Sequence, residues 1–204
     1  MHLPVGAPIL VLGHGASGSA ASMAPHVAGL RARGIDARAI DLPKGRAERA
    51  ISRFATLLAE DVAASQSGLS GGGRLPGERP LVAVGGHSFG GRVASLAAAD
   101  ACDAGHAPLA LVLLSYPLHP PGHPTDWDAR TAHWPRLTCP VLVLSGSSDP
   151  FAQPALLARA VAERLPAAKL VTYPRVAHGL AAVLDDALDR VAAFVLRARA
   201  AKAG

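Results

Sequence analysis

Cysteine is scarce: Cys102 and Cys139 are the only two in 204 residues. They form no Cys-x-x-Cys pair, so neither a zinc ligand set nor a dithiol redox centre is indicated. Two unpaired thiols in a reducing compartment are expected rather than a disulfide framework. Lysine is scarce too. Lys44, Lys169 and Lys202 are the only three, and the other 17 of the 20 basic residues are arginine. These residues are scattered through helical stretches, and aromatics make up only 4% of the chain. Nucleic-acid surfaces gather basic side chains and interleave aromatics, so solvated helix faces are expected instead and no nucleic-acid partner. Long hydrophobic runs are missing as well. Met1-His2-Leu3-Pro4-Val5 has no basic region, and the apolar run from Ile9 ends by Gly13. Neither a secretory leader nor a membrane span is expected, and the cytoplasm is the expected location.

What is present suits an ordinary folded chain. Hydrophobic residues make up 50% and charged residues 17%, with a net charge of +5, which excludes disorder as the overall state. A length of 204 residues points to one domain spanning 1–204, able to bury a core without staples. Short apolar runs predict strands at Ile9–Leu12, Ile35–Ile40, Leu81–Val84, Leu109–Leu114, Val141–Leu144 and Lys169–Tyr173. Between them, helical spacing predicts helices at Met23–Arg33, residues 46–64, Phe89–Ala101, Pro154–Leu165 and Asp185–Ala200. Ser65–Pro80, rich in Gly, Ser and Pro, reads as a surface loop, and Ser115–Thr138 as an irregular segment dense in Pro and His. Strands alternating with helices predict an α/β fold: a mostly parallel six-stranded sheet with helices on both faces. Sites on such sheets lie beyond the carboxyl ends of the strands.

Three of those ends carry the chemistry. After the third strand stands Gly86-His87-Ser88-Phe89-Gly90, a G-x-S-x-G between strand and helix. So tight a turn strains the serine backbone and leaves no room for neighbouring side chains, while its hydroxyl stands at a helix N-terminus. Asp149 follows the fifth strand and His178 the sixth. The order Ser88, Asp149, His178 is the one expected of a nucleophile, acid and base on this architecture. His178 takes the serine proton during attack, and Asp149 fixes the imidazole tautomer. The first strand ends in Gly13-His14-Gly15-Ala16-Ser17-Gly18. Its Ala16 N–H, with that of Phe89, is the candidate oxyanion hole. The same run matches the G-x-G-x-x-G spacing of a dinucleotide loop. However, Asp41, lying just before Leu42-Pro43, is poorly placed as a ribose acid, and that reading leaves the Ser-Asp-His set unexplained.

Over nearly its whole length the chain resembles the α/β-hydrolase superfamily. The matching motifs are Leu12-Gly13-His14-Gly15-Ala16, Gly86-His87-Ser88-Phe89-Gly90-Gly91-Arg92, Asp149-Pro150-Phe151 and His178-Gly179. Ser115-Tyr116-Pro117-Leu118-His119-Pro120-Pro121-Gly122 is similar to a segment of the small, lidless hydrolases related to dienelactone-hydrolase-like proteins. The resemblance implies a sheet without the leading edge strands of larger members, and a triad of Ser88, Asp149 and His178. His87 stands where that small group often has Lys or Arg. True dienelactone hydrolases use a cysteine nucleophile, and this chain has Ser88.

The expected function is hydrolysis of small or medium acyl esters, with a small-molecule acyl substrate and no cofactor. Thioester or peptide cleavage would use the same chemistry, and a non-catalytic interaction module on the same fold is the alternative from another class. Ser115–Thr138 is too short for a helical lid, so an open, shallow site is expected. His14, His87, Tyr116, Trp127 and Trp134 are candidates to line it. For Tyr116, Trp127 and Trp134 the competing role is packing, for His87 it is packing beneath the serine turn, and for His14 it is orienting the oxyanion loop. His119, His123 and His133 with Asp126 and Asp128 fit no metal-site spacing, so no metal is expected.

Overall fold

Side chains alternate across a strand, and in β1 (Ile9–Gly13) that alternation divides the core in two. Leu10 and Leu12 fall in one buried cluster and Val11 in the other. The computed structural model of the chain describes residues 6–67 and 82–203. Its other strands are β2 (Asp36–Ile40), β3 (Val82–His87), β4 (Leu111–Leu114), β5 (Val141–Gly146) and β6 (Lys169–Tyr173). They form one sheet in the order β2-β1-β3-β4-β5-β6, every pair parallel. The central strands β4 and β5 are buried at every position, as parallel strands covered on both faces must be.

The helices are α1 (Ala24–Arg31), α2 (Ile51–Ser67), α3 (Phe89–Asp103), α4 (Trp127–Thr131), α5 (Pro154–Arg164) and α6 (Leu184–Ala203). Leu30 of α1 and Leu188, Val191 and Val195 of α6 pack with Leu10, Leu12, Val112 and Leu142. On the other face, Phe54 of α2, Val93 and Ala97 of α3 and Leu157 of α5 pack with Val11, Val84, Leu113 and Val143. The chain steps from β1 outward to β2, then returns to the far side of β1 as β3. That reversal opens a crevice beyond the carboxyl ends of β1 and β3, where such sheets bind ligands.

Several sequence-based boundaries move. The helix expected from Met23 begins as a 3₁₀ turn, Ala20–Met23, because Pro25 is best tolerated in the first turn of α1. Helix α2 continues through Ser67, so the expected loop at Ser65–Pro80 loses its first three residues, and the rest lies outside the described residues. The segment Ser115–Thr138 is not wholly irregular. It holds α4 and the 3₁₀ turns Pro124–Asp126 and Trp134–Arg136, two of the three starting on a proline-fixed first turn.

This segment also makes stability pH-dependent. His133 is buried, with its Nε2 2.8 Å from Ser95 Oγ of α3. Burial first, then the Arg92 and Arg136 guanidiniums, push its imidazole down to about 4. An unfolded imidazole titrates near 6.5, so between 6.5 and 4 the unfolded chain binds a proton that the native state refuses. The contribution is complete above that window and is lost as pH falls through it, by roughly 3 kcal/mol at pH 4. Urea midpoints should therefore drop on acidification, and His133→Gln should flatten that slope. A variant with the same slope as the wild type would contradict this account.

Candidate active site

The turn after β3 brings two backbones together. An added Cβ at Gly90 would lie 2.2 Å from the Gly13 carbonyl oxygen, and one at Gly86 would lie 2.5 Å from the same atom. Only glycine allows α3 to start this close to β1. Between them Ser88 adopts φ 52° and ψ −116° as the N-cap of α3. Strain at a residue of this kind is held by its surroundings, and here Ser88 N–H donates to the Leu114 carbonyl at 2.8 Å.

Asp149 and His178 meet at the ends of β5 and β6. The Asp149 side chain is fully buried, and His178 keeps 22% of its side chain exposed. Asp149 Oδ1 accepts the Phe151 N–H at 2.8 Å, and Oδ2 lies 2.8 Å from His178 Nδ1. A carboxylate can only accept, so Nδ1 carries the proton and Nε2 is left as a bare base. The supporting loops are tied together. Ser147 N–H donates to the Tyr173 carbonyl, Ser148 N–H to the Val176 carbonyl, and Arg175 N–H to Ser147 Oγ. Gly179 N–H donates to Ser115 Oγ at 3.2 Å, and Ser115 is a fully buried residue just after β4 with φ 49°.

Among the described residues, Ser88 Oγ makes no hydrogen bond to His178. The two are linked through their neighbours. The His178 ring lies 4.7 Å from that of Phe151 and 5.1 Å from that of His87. Phe151 lines the same cavity as Ser88. Burial first, and then the proximity of the His178 imidazole, lower His87 to about 4, so His87 is uncharged at neutral pH.

The loop after β1 is organised by His14. Its Nε2 accepts the Leu42 N–H at 3.0 Å, so Nδ1 carries the proton and donates to the Gly15 carbonyl at 2.7 Å. Because Nε2 is bare, Asp41 at 3.8 Å forms no ion pair with it. Asp41 Oδ1 instead accepts the Ala20 N–H at 2.7 Å, which occupies it locally. Gly18 N–H closes on the Gly15 carbonyl at 2.9 Å, leaving Ala16 exposed in the turn. Ala16 and Phe89 both line the cavity with Ser88. As the first residue of α3, Phe89 has an N–H with no partner inside the helix.

That cavity has a volume of about 620 Å³. The residues expected to line it from the sequence do not do so. His14 is buried and spent on backbone contacts. His87 is packed behind the turn, its Nε2 buried without a hydrogen-bond partner. Tyr116 and Trp134 are fully buried against one another, ring centres 5.1 Å apart, with Tyr116 Oη donating to the Arg130 carbonyl at 2.7 Å. Trp127 lies under two guanidiniums, Arg164 at 4.6 Å and Arg159 at 5.4 Å. In a chain with few aromatics, large rings go first to the core. The walls are Arg46, Glu48, Arg92, Pro117, Arg130 and Phe151. Sequence reasoning missed these roles, although Arg92 was findable: it sits four residues after Ser88, one helical turn on. The histidines weighed as metal ligands face different partners, His119 the Pro120 carbonyl and the Gln153 N–H, His133 the Ser95 hydroxyl.

A family model described as an alpha/beta hydrolase domain matches residues 6–182. No curated protein matches the chain. Among solved structures, the monoacylglycerol lipase of Paleococcus ferrophilus is similar at TM-score 0.72 and 15% identity, with 97% of this chain and 100% of that one covered. Est1E from Butyrivibrio proteoclasticus gives 0.69 and 19%, covering 97% and 90%. An esterase of Pyrobaculum calidifontis gives 0.68 and 20%, covering 93% and 76%. At such identities the likeness is one of fold. The family match runs through β1, the serine turn and the His178 loop, and by it the chain belongs to the alpha/beta hydrolase domain family.

Proposed function

We propose that the chain is a serine hydrolase cleaving small or medium acyl esters through an acyl-enzyme. The observation that carries this reading is the contact of His178 Nδ1 with buried Asp149, which fixes the tautomer with Nε2 free. In the proposed cycle Ser88 Oγ attacks the ester carbonyl carbon while His178 Nε2 takes the hydroxyl proton. The carbonyl oxygen becomes an oxyanion, held by the Ala16 and Phe89 N–H groups. The intermediate collapses, the alkoxide leaves with the proton from Nε2, and water repeats the sequence to release the acid. Ser88 Oγ must swing toward Nε2 for the first step, and catalytic hydrogen bonds commonly tighten only once substrate is bound. A cytoplasmic setting belongs to the same reading, supported by the free thiols of Cys102 and Cys139. Among the described residues no helix is long and apolar enough to cross a membrane.

The alternative, a non-catalytic interaction module, draws on one observation, the missing Ser88–His178 hydrogen bond. A fluorophosphonate probe separates the two. It should add one phosphonyl group, mapped by mass spectrometry to Ser88 and absent in Ser88→Ala. No adduct, or an adduct that persists in the variant, would overturn the hydrolase reading. Thioesters and peptides share the acyl-transfer chemistry, and a panel of acyl substrates ranks them.

A further inference from the structure

The wall of the Ser88 cavity is unusually cationic. Arg46, Arg92 and Arg130 line it, against one acid, Glu48. Arg92 Nη2 donates to Glu48 Oε1 at 2.7 Å, so that pair is close to neutral. Arg130 has no carboxylate partner among the described residues. Its Nη1 donates to the Pro117 carbonyl at 3.0 Å, and its own carbonyl accepts the Tyr116 hydroxyl at 2.7 Å. Two hydrogen bonds thus hold this arginine in place while most of its donor fork is left unused. Arg92 lines the same cavity. Burial, and then the charge of Arg92, lower the Arg130 guanidinium from its ordinary value, against the opposing pull of Tyr116, Asp126 and Glu48.

We propose that Arg130, with Arg92, forms an anion subsite beside Ser88, and that the natural substrate is an ester carrying a carboxylate. This rests on the serine-hydrolase reading above. A carboxylate suits this wall: Arg92 is paired with Glu48, whereas Asp126 and Glu48 act on Arg130 without an ion-pair contact among the described residues, so its fork is open to one anionic group. The planar fork of arginine suits two parallel hydrogen bonds to a carboxylate, a geometry lysine lacks. Arg46 is exposed at the edge of the cavity and adds long-range attraction for an anion.

Two matched pairs of esters test the proposal. Ethyl hydrogen adipate against ethyl hexanoate puts the charge on the acyl side. Para-acetoxybenzoate against its methyl ester puts it on the alcohol side. In one pair at least, kcat/KM for the charged member should exceed that of its neutral partner by about tenfold or more, chiefly through KM. The preference should shrink as salt is added. Arg130→Gln should cut it by about tenfold, Arg130→Lys should restore only part of it, and Arg159→Gln, at an exposed position of α5, should leave the ratio alone. A ratio at or below one in both pairs, or one indifferent to both salt and Arg130→Gln, overturns the subsite. Calorimetric titration of Ser88→Ala with ethyl hydrogen adipate and, separately, with para-acetoxybenzoate separates this from the parent reading. Binding that Arg130→Gln abolishes supports the subsite even without turnover. No Ser88-dependent turnover on any ester overturns the hydrolase reading alone. No saturable binding overturns the subsite alone.

Discussion

Replacing Ser88 by Ala should lower kcat on p-nitrophenyl butyrate by about 10⁶, and His178→Ala should lower it by a similar factor. The double variant should be no slower than either single one. A nucleophile and its base act as one unit: without the imidazole the hydroxyl is not deprotonated, and without the hydroxyl the imidazole has nothing to activate. What survives should come from the N–H groups of Ala16 and Phe89 and from binding. Both substitutions should leave the fold intact. Ser88 is only half-buried and its hydroxyl has no hydrogen-bond partner among the described residues, and His178 is partly exposed. Circular dichroism melts alongside the kinetics check that. Multiplicative losses in the double variant would show two independent groups and refute the shared role.

The second large effect belongs to Asp149→Asn, expected to cost about 10⁴ in kcat. The argument is geometric. Phe151 N–H points at Oδ1 and needs an acceptor there. An asparagine keeps its carbonyl oxygen on that N–H, which turns its NH₂ group toward His178 Nδ1. The imidazole must then accept at Nδ1 and carry its proton on Nε2, the tautomer unable to take a proton from Ser88. Shape and packing are preserved, so stability should change little while turnover collapses. Measured kcat and urea midpoints for the variant decide the matter. A loss under about tenfold would mean that Asp149 does not set the tautomer.

Much of the architecture was legible because its signals are local. Apolar runs such as Val141–Leu144 read as buried strands since a parallel sheet covers both faces, and all six predicted strands exist. The serine turn was legible for a related reason. Gly86 and Gly90 are demanded by backbone contact with Gly13, a requirement written in residue type and spacing. The cavity walls were not legible. Arg130 reaches the site through the path of Ser115–Thr138, and that path depends on Tyr116 and Trp134 burying against each other. Periodicity carries no information about such long-range packing. Their place in Ser115–Thr138 makes Trp127 and Trp134 candidate wall residues, but guanidinium stacking takes up Trp127 and burial takes up Trp134.

The tie from Ser115 Oγ to Gly179 N–H has a wider meaning. Connections on a protein surface usually fray independently of the layers beneath them. Here the peptide next to the imidazole is riveted to a residue whose own N–H is bonded to the Leu144 carbonyl of β5. The stretch bearing His178 therefore borrows its stiffness from the middle of the sheet. Any outward movement of that loop has to part with this bond as well, which ties the place of the His178 ring to the end of a central strand.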